Sequence, residues 1–153
     1  MDPRIVFVGI DELKPHEAVK EKKLGNYVKT TTRYPRKSIK VKPLWVDRGT
    51  KVILDGHHRF GMFRAMGCKQ VPCILVDYLT DDTISVLPRR PEIPVSKQAV
   101  IDMGLSGKTF PAKTTKHVFP EEAPEFWLTV KKCMDEEAPG TEGAPGAPEM
   151  NAK

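Results

Sequence analysis

The sequence predicts a mixed α/β (α+β) fold of one domain, in which a small mixed sheet is flanked by helices. Short runs rich in β-branched residues, at positions 5–10 and 71–78, are typical of buried strands. Between such runs, the apolar residues after Asp55 recur at helical spacing. At 153 residues, the chain has room for one domain with its own core.

The N-terminal third is predicted to alternate between strands and polar segments. Residues 5–10 form the first strand, and residues 11–23 form a turn and a helix, because Pro15 suits a helix start. A polar, basic loop follows at residues 29–37. Residues 43–47 and 51–54 are predicted strands, joined by a turn. Trp45 is expected in the core rather than as a stacking platform.

The middle of the chain is predicted to contain two helices and two further strands. The first helix follows Asp55 and ends at Gly67, with one apolar face made of Phe60, Phe63 and Met66 beside Met62 and Ala65. Strands are expected at residues 71–78 and 83–87. Ser96 then caps a helix over residues 97–105, with Gly107 beyond its end, and its buried face is expected to contain Val100, Ile101 and Leu105.

The last part of the chain is predicted to form a basic loop, a helix and a disordered tail. Residues 107–119 form the loop, and residues 124–134 form the helix, because Phe126, Val130 and Met134 recur every four residues. Residues 135–153 are rich in Pro and Gly and lack periodicity, so they are predicted to be disordered. The folded domain is therefore residues 1–134.

Charge and cysteine content restrict the class of protein. Residues 1–134 contain 24 basic and 15 acidic side chains, a net charge of +9, whereas residues 135–153 carry −4. A basic body favours an anionic ligand, either a nucleotide or a nucleic acid. No apolar run reaches 18 residues, which predicts a protein without a membrane span. The three cysteines, Cys68, Cys73 and Cys133, lack metal-ligand spacing, and Cys68 and Cys73 lie in apolar surroundings, so these two are predicted to be core thiols in a reducing cytosol.

The junction at residues 52–59 is predicted to be a phosphate site. A short apolar strand meets a helix there, so the first helical N–H groups are unpaired and lie at the positive end of the helix dipole. Gly56 lets a ligand approach the backbone, and Arg59 can contact two phosphate oxygens. His57 and His58 lie in the same turn. Asp55 can hold a metal ion or accept a proton, although a helix N-cap alone would also explain it.

The five residues Asp-Gly-His-His-Arg at positions 55–59 resemble the ParB/sulfiredoxin superfamily, and within it the free L-serine kinases, which make O-phosphoserine from serine and ADP or ATP. The resemblance implies a ParB/sulfiredoxin-like fold. It extends over residues 5–119 through two further motifs. One is Pro15-His16-Glu17, and the resemblance implies that its glutamate, Glu17, acts in catalysis. A purely structural explanation is also open, because the helix dipole favours a glutamate in the first turn of a helix.

The third motif, at residues 110–117, is similar to the kinases' late Phe-Pro-x-Lys-Thr-Thr-x-His loop. The resemblance implies that Thr115 and His117 hold the amino acid, while Lys113 and Thr114 contact phosphate or nucleotide. Thr30 in the earlier basic loop is a further candidate for contact with the substrate hydroxyl. Without the resemblance, residues 107–119 would be interpreted as a solvated basic loop.

The sequence departs from the kinases after the strand at residues 83–87. The kinases have a Ser-Trp-Arg stretch whose tryptophan lines the serine pocket, whereas this chain has Leu87-Pro88-Arg89-Arg90. A related hydroxy amino acid is therefore an alternative acceptor. Sulfiredoxins fit less well, because they use a cysteine where this chain has His57. ParB partition proteins need a helix-turn-helix module, and too little ordered sequence follows Phe119 for one.

The leading hypothesis is a cytoplasmic kinase that phosphorylates free L-serine, with ADP or ATP as donor and Mg²⁺ bridging the nucleotide phosphates at Asp55. Catalysis is assigned to Glu17, Asp55 and His58, with Glu17 and Asp55 both open as the base. Phosphate binding is assigned to Gly56, His57, His58, Arg59, Lys113 and Thr114. The alternatives are a ParB-like nucleotide-binding, DNA-associated regulatory protein, which the basic body favours, and an adaptor that acts through its acidic tail.

Overall fold

The computed structural model describes residues 2–19 and 38–134. The strands are β1 (Ile5–Gly9), β2 (Ser38–Val41), β3 (Leu44–Asp47), β4 (Ile53–Asp55), β5 (Gln70–Val76), β6 (Ser85–Pro88), β7 (Thr115–Val118) and β8 (Phe126–Thr129). The α-helices are α1 (His57–Ala65), α2 (Lys97–Ser106) and α3 (Val130–Met134), and a short 3-10 helix spans Ile10–Glu12. The predicted loop at residues 29–37, with Thr30, and the predicted tail at residues 135–153 lie outside the described residues.

The central sheet has four strands in the order β1-β5-β3-β4. Strand β5 is antiparallel to β1 and parallel to β3, and β3 and β4 form an antiparallel hairpin. Two smaller antiparallel pairs, β2 with β8 and β6 with β7, lie outside this sheet. Because β3 and β5 are parallel, the chain must cross over between them, and α1 lies within that crossover.

The side chains of the central sheet alternate between two hydrophobic cores, as the period of a strand requires. In β3, Leu44 and Val46 join the core that contains Phe60 and Phe63 of α1. Trp45, between them in sequence, joins the second core, which contains Val100 and Ile101 of α2, together with Val52, Leu54, Ile74, Tyr78 and Ile84. The predicted mixed sheet flanked by helices is therefore confirmed.

Most predicted elements before residue 106 are present. The strands at residues 5–9, 44–47, 53–55, 70–76 and 85–88 match the predicted runs, with boundary shifts of one or two residues. Helix α1 ends where predicted, and Gly67 has a φ of 81°, which suits glycine. Trp45 is buried, as predicted, and stacks on Phe119 with ring centroids 4.3 Å apart. Ser96 caps α2 as predicted, by accepting a hydrogen bond from the Ala99 N–H.

The helix predicted over residues 11–23 is wrong within the described residues. After the short 3-10 helix, residues 13–19 are not helical. The Lys14 N–H donates to the Lys51 carbonyl, and the Ala18 N–H donates to the Phe110 carbonyl. Backbone groups that bond to distant segments are unavailable for the i to i−4 bonds of a helix. Glu17 therefore lies in an extended segment and not in the first turn of a helix.

Three predictions in the second half of the chain need correction. Residues 126–129 form β8 rather than the start of a helix, because their alternating pattern pairs with β2, and only Val130–Met134 is helical. Residues 115–118 of the predicted basic loop form β7. Leu105 is 52% exposed, because α2 turns Gly104 towards Val52 in its place.

The prediction of core thiols is correct for Cys73 and wrong for Cys68. Cys73 is a buried free thiol, as expected. Cys68, after α1, and Cys133, in α3, form a disulfide with their Cα atoms 5.1 Å apart. The Lys69 N–H donates to the Cys133 carbonyl, so α3 returns beside the end of α1, which brings together residues 65 positions apart. No helix among the described residues is long and apolar enough to cross a membrane.

Candidate active site

The junction between β4 and α1 has an open helix end. Gly56 precedes the helix with a φ of 105°, and no side chain of the described residues caps the first turn. A Cβ at this position would lie 2.5 Å from Leu44 Cδ2 and 2.9 Å from Arg59 Nη2, so only glycine fits. The first N–H groups of α1 thus point into the space beside the sheet, at the positive end of the helix dipole.

The carboxylate of Glu17 lies at the opposite wall, where it binds the segment that leads into β7. Its Oε2 accepts a hydrogen bond from the Lys113 N–H (3.0 Å), and its Oε1 accepts from the N–H groups of Thr114 (3.3 Å) and Thr115 (2.9 Å). The Thr115 hydroxyl also donates to Oε1 (2.8 Å). Lys113 has a positive φ of 60°, which marks the tight turn that presents these N–H groups.

Three histidines from distant parts of the chain meet between these walls. His16 is fully buried, and its ring centroid lies 4.5 Å from that of His57 and 5.7 Å from that of His117. The His16 N–H donates to His57 Nε2 (3.1 Å), so the proton of the neutral His57 ring is on Nδ1. His117 Nε2 is 2.8 Å from the Tyr78 hydroxyl.

The environment keeps these imidazoles uncharged. Burial, together with smaller effects of the nearby His16 and Lys97, lowers the pKa of His117 to about 3. Burial also lowers the pKa of His57 well below its ordinary value, with smaller effects from the neighbouring histidines and Arg59. The pKa of His16 is lowered by burial too, against the opposing effects of its bond to the Ile53 carbonyl and of the carboxylates of Glu17 and Asp55.

A cavity of about 420 Å³ lies between the two walls and collects most of the predicted site residues. Those that line it are Glu17, Asp55, Gly56, His57, His58, Arg59, Lys113, Thr115 and His117. Thr114 does not, because its side chain is buried and its hydroxyl donates to the Pro111 carbonyl. Among the described residues, Glu17, Asp55 and His58 therefore share one cavity even though Glu17 is far upstream in sequence.

Three lining or supporting residues were not predicted. Arg89 and Lys116 line the cavity and add positive charge to its wall. The Arg89 N–H donates to the Thr114 carbonyl, which places Arg89 beside the Glu17-bound segment. The only sequence signal for Arg89 was that residues 87–90 differ from the corresponding stretch of the serine kinases. The local sequence did not indicate that the Arg89 side chain lines the cavity. His16 was part of a quoted motif without a role of its own.

The charges of the cavity suit a phosphorylated ligand. Arg59 Nη2 lies 3.5 Å from Asp55 Oδ2 and 3.4 Å from the Pro43 carbonyl, which holds the guanidinium at the open end of α1. Lys113, Lys116 and Arg89 supply further positive charge around the same space. Against these four cations stand the carboxylates of Glu17 and Asp55, so the cavity as a whole attracts an anion.

The metal ligand predicted at Asp55 is a single carboxylate. Among the described residues, no group of three or more His, Cys, Asp or Glu side chains is arranged to hold a metal ion. The side chain of Asp55 is 53% exposed at the cavity, and Mg²⁺ is commonly held by one or two carboxylates together with substrate phosphates and water. The residues present therefore fit a magnesium ion that arrives with a nucleotide and do not form a protein cage for one.

A second cavity, of about 570 Å³, is larger but has different chemistry. Pro3, Val6, Trp45, Ile74, Ile84 and Pro120 are among the residues that line it, with Arg4 and Arg48 near them. Arg4 pairs with Asp2 and Glu121, and Arg48 pairs with Asp77. Since these guanidinium groups already have carboxylate partners, we place the candidate active site in the smaller cavity.

The fold and this cavity define a mixed α/β protein with a cavity rich in positive charge at a strand–helix junction. Solved structures with the same fold include a free serine kinase in complex with AMP (16% identity, TM-score 0.72, covering 84% of this chain and 93% of that chain). SbnI from Staphylococcus aureus is similar at 13% identity, with a TM-score of 0.59 and coverage of 78% of this chain and 84% of that chain. The predicted fold is confirmed.

Relatives found by sequence agree with the predicted resemblance. The ADP-dependent L-serine kinase SerK of Thermococcus kodakarensis is 32% identical over 81 residues, which cover 50% of this chain and 32% of that protein. A ParB-like protein of Sulfolobus acidocaldarius is 33% identical over 75 residues, covering 49% and 36%. The chain thus spans about a third of the length of these relatives. No protein-family model matches the chain.

Proposed function

We propose that this protein is a small-molecule kinase that transfers a phosphoryl group from ADP or ATP to the hydroxyl of free L-serine or a related hydroxy amino acid. The observation that carries the proposal is that Glu17 and the residues at the N-terminus of α1 line the same cavity. Phosphoryl transfer needs alignment, neutralisation of phosphate charge and a base for the attacking hydroxyl, and this cavity has groups for each.

The donor phosphates would bind at the junction. The N–H groups after Gly56 and the guanidinium of Arg59 offer hydrogen bonds to phosphate oxygens, and His57 and His58 line the same turn. Lys113 adds a cation from the other wall. Thr114 would act through its backbone, because its side chain is buried. Asp55 would hold Mg²⁺ together with the phosphates, and the ion would neutralise phosphate charge.

Glu17 would act as the general base. It would take the proton of the acceptor hydroxyl as the acceptor oxygen bonds to phosphorus, while the bond to the donor oxygen breaks and leaves its electron pair on the departing nucleotide. The three backbone N–H groups on Glu17 fix the direction of its carboxylate. Asp55 is paired with Arg59 and lies next to the junction, which favours the metal role for Asp55 and the base role for Glu17.

The acceptor would lie between Glu17 and His117. His117 lines the cavity, and its bond to Tyr78 orients its ring. Thr115 also lines the cavity, but its hydroxyl already donates to Glu17, so its contact with the acceptor would be indirect. Arg89 supplies a cation for a carboxylate in place of the aromatic residue that the kinases have nearby. A free amino acid has such a carboxylate.

The donor and the acceptor can both be tested by product analysis. Pure protein is incubated with Mg²⁺, L-serine and either ADP or ATP, and O-phosphoserine is measured by ³¹P NMR and mass spectrometry. We expect phosphoserine with at least one donor, and a loss of at least roughly 100-fold in kcat for Glu17→Gln, the range of general base catalysis. Glu12→Gln removes an exposed carboxylate outside the cavity and should retain activity. The same assay is run with L-threonine and L-homoserine as acceptors. Absence of a phosphorylated amino acid with every acceptor and both donors would refute the proposal.

A DNA-associated, nucleotide-binding protein is the second candidate, and the Sulfolobus relative named ParB-like favours it. The +9 charge of residues 1–134 would then contact DNA phosphates. This version predicts DNA affinity that falls steeply as salt rises, with nucleotide binding but no phosphoserine. Affinity that does not change between low and high salt would exclude it.

We also propose that the reaction takes place in the cytoplasm, where nucleotides and free amino acids are both present. The disulfide between Cys68 and Cys133 differs from the reduced thiols that the sequence predicted for that compartment. Intracellular disulfides are common in hyperthermophilic archaea, although they are rare in the cytoplasm of mesophiles. Fractionation of the source cells, followed by detection of the protein, tests this assignment.

A further inference from the structure

A continuous chain of polar contacts runs from the cavity into the core behind Glu17. The Thr115 hydroxyl lies 2.8 Å from Glu17 Oε1 and 3.0 Å from His16 Nε2. His16 Nδ1 lies 2.7 Å from the Ile53 carbonyl. His16 has no exposed surface, and Thr115 is 8% exposed, so only the Glu17 end of this chain reaches the cavity.

Counting hydrogens shows that this chain lacks one proton. Its three contacts require three hydrogens, one for each. A carbonyl only accepts, so His16 Nδ1 must carry a hydrogen, and Thr115 has one hydroxyl hydrogen. An ionised Glu17 has none. With neutral His16 and ionised Glu17, two hydrogens serve three contacts.

The missing hydrogen belongs between His16 and Thr115. The Thr115 hydroxyl donates to Glu17 Oε1, because an ionised carboxylate is a stronger acceptor than a neutral imidazole nitrogen. The bare Nε2 of His16 then faces an oxygen lone pair of Thr115. An unfilled contact in a buried place is costly, and one added proton on Nε2 would satisfy it.

The environment of His16 keeps its imidazole neutral in the free protein. Burial lowers the pKa of His16, and the rings of His57 and His117 next to it are held neutral as well. The charged groups that favour protonation of His16 are the carboxylates of Glu17 and Asp55. When Glu17 takes up a proton from the cavity, the unprotonated Nε2 of His16 is therefore available as the next acceptor, with the Thr115 hydroxyl between them.

We propose that His16 is a positioning residue that receives, through the Thr115 hydroxyl, the proton that Glu17 removes from the acceptor; this role rests on the proposed kinase function. Glu17 takes the hydroxyl proton as the new oxygen–phosphorus bond forms. Glu17 then gives a proton to the Thr115 oxygen while the Thr115 hydroxyl gives its own to His16 Nε2. The result is an ionised Glu17, an intact Thr115 hydroxyl and an imidazolium, and the proton returns to solvent by the reverse path when product leaves.

The arrangement has a consequence for turnover. Because Glu17 is restored to its ionised form before product leaves, the carboxylate keeps its bonds to the N–H groups at residues 113–115 throughout the reaction. The segment that leads into β7 therefore does not need to rearrange between turnovers. His16, which never touches the substrate, would affect kcat and leave KM for both substrates unchanged.

NMR of the histidine ring nitrogens tests the resting state without any need for activity. In the free protein at neutral pH, we expect His16 to carry its proton on Nδ1 and to have a bare Nε2. A resting His16 that is protonated on Nε2, or on both nitrogens, overturns the relay whether or not the protein phosphorylates serine. Absence of any phosphorylated hydroxy amino acid with the wild-type protein would instead refute the kinase proposal.

Variants of the bridge test the transfer itself. In the complex with Mg²⁺, AMP and phosphoserine, the wild-type His16 should be protonated on both nitrogens, whereas in Thr115→Val it should stay neutral. Thr115→Val should lower kcat roughly 100-fold, and Thr115→Ser, which keeps the hydroxyl, should restore most of the loss. His16→Asn keeps a donor for the Ile53 carbonyl and should lower kcat with KM unchanged. Equal kcat values for Thr115→Ser and Thr115→Val, or wild-type kcat in His16→Asn, would overturn the relay.

Discussion

The N-termini of α1 and α2 are built in opposite ways. At α2, the Ser96 hydroxyl accepts a hydrogen bond from the Ala99 N–H (3.0 Å), and the next residue, Lys97, donates to the carbonyls of Tyr78 and Asp81. At α1, Gly56 occupies the capping position with a φ of 105° and no side chain. One helix end is closed by its own chain, and the other opens into a cavity of about 420 Å³.

This difference separates a structural helix end from a functional one. The Ser96 side chain satisfies one N–H group of the first turn of α2. At α1, Gly56 has no side chain to do so, and the polar groups that line the adjoining cavity come from four segments distant in sequence, around Glu17, Asp55, Arg89 and Thr115. We therefore propose that a ligand completes the α1 end. Substitutions at this end should then weaken ligand binding, whereas substitutions at the α2 end should not.

The largest expected effect is a loss of stability in acid, caused by the neutral histidines beside α1. The folded pKa of His117 is about 3 and that of His16 is also lowered, whereas an unfolded histidine has a pKa near 6.5. The unfolded chain therefore binds protons that the folded protein does not, so the stabilisation is complete above about pH 6.5 and is lost as pH falls towards the folded values. Between its folded and unfolded pKa values, His117 contributes a slope of about 1.4 kcal/mol per pH unit, and the lowered pKa values of His57 and His16 act in the same direction.

Urea unfolding between pH 4 and 7 measures this slope. His117→Gln should remove the contribution of His117 and leave those of His16 and His57, so the slope should decrease by about 1.4 kcal/mol per pH unit. An unchanged slope in His117→Gln would show that His117 is not held neutral in the folded protein. Gln98→Ala, on the exposed surface of α2, serves as a control and should not alter the slope.

Substitution of Gly56 should damage the open end of α1 directly. Gly56→Ala places a Cβ 2.5 Å from Leu44 Cδ2 in a left-handed conformation. The conformation costs about 1–2 kcal/mol and the overlap about 1–3 kcal/mol, and ADP binding should be lost. Gly67→Ala is the matched control, because Gly67 has a φ of 81° but nothing lies within 4 Å of the added carbon. Chemical unfolding and calorimetric ADP titration of both variants should separate the effect of steric overlap from that of the left-handed backbone conformation. Equal losses of stability in the two variants would contradict the close contact between a Cβ at position 56 and Leu44.

Removal of the Arg59 charge should weaken nucleotide binding while the fold is retained. A charge-assisted hydrogen bond contributes about 1.5–3 kcal/mol, so the Kd for ADP should rise roughly 10- to 100-fold in Arg59→Gln. Arg64→Gln removes the same charge from the exposed side of α1, where the guanidinium lies 5.0 Å from the Phe60 ring, and should leave the Kd unchanged. Equal weakening in both variants would indicate a general charge effect and not a site at the junction.

The junction could be predicted from sequence because its information is local. A β-branched strand, Asp55-Gly56 and a helix-period pattern follow one another within 16 residues, and each signal is a property of neighbours. The same holds for the Ser96 cap and for Gly67. The structure confirms these elements at nearly the predicted positions.

The side of the cavity that contains Glu17 could not be predicted from local sequence. Glu17 was predicted on a helix, yet it lies in an extended segment whose partners are near residues 51 and 110. The strand β8 was predicted as helix, because its pairing with β2 is visible only in three dimensions. The Cys68–Cys133 disulfide likewise depends on where β8 returns the chain. Local propensity was overridden in each case by contacts between residues far apart in sequence.

The smallest effect is expected at the closed helix end, and it completes the comparison. Ser96→Ala removes the acceptor of the Ala99 N–H, so α2 should lose about 1 kcal/mol of stability, and Ser96→Gly should lose only a few tenths of a kcal/mol. ADP affinity should be the same in both variants as in the wild type, because no residue of α2 lines the cavity. Unfolding curves and ADP titrations measure the two quantities separately. A change in ADP affinity in Ser96→Ala would mean that the two helix ends are coupled through the sheet between them, and the division into a structural end and a ligand-completed end would then be wrong.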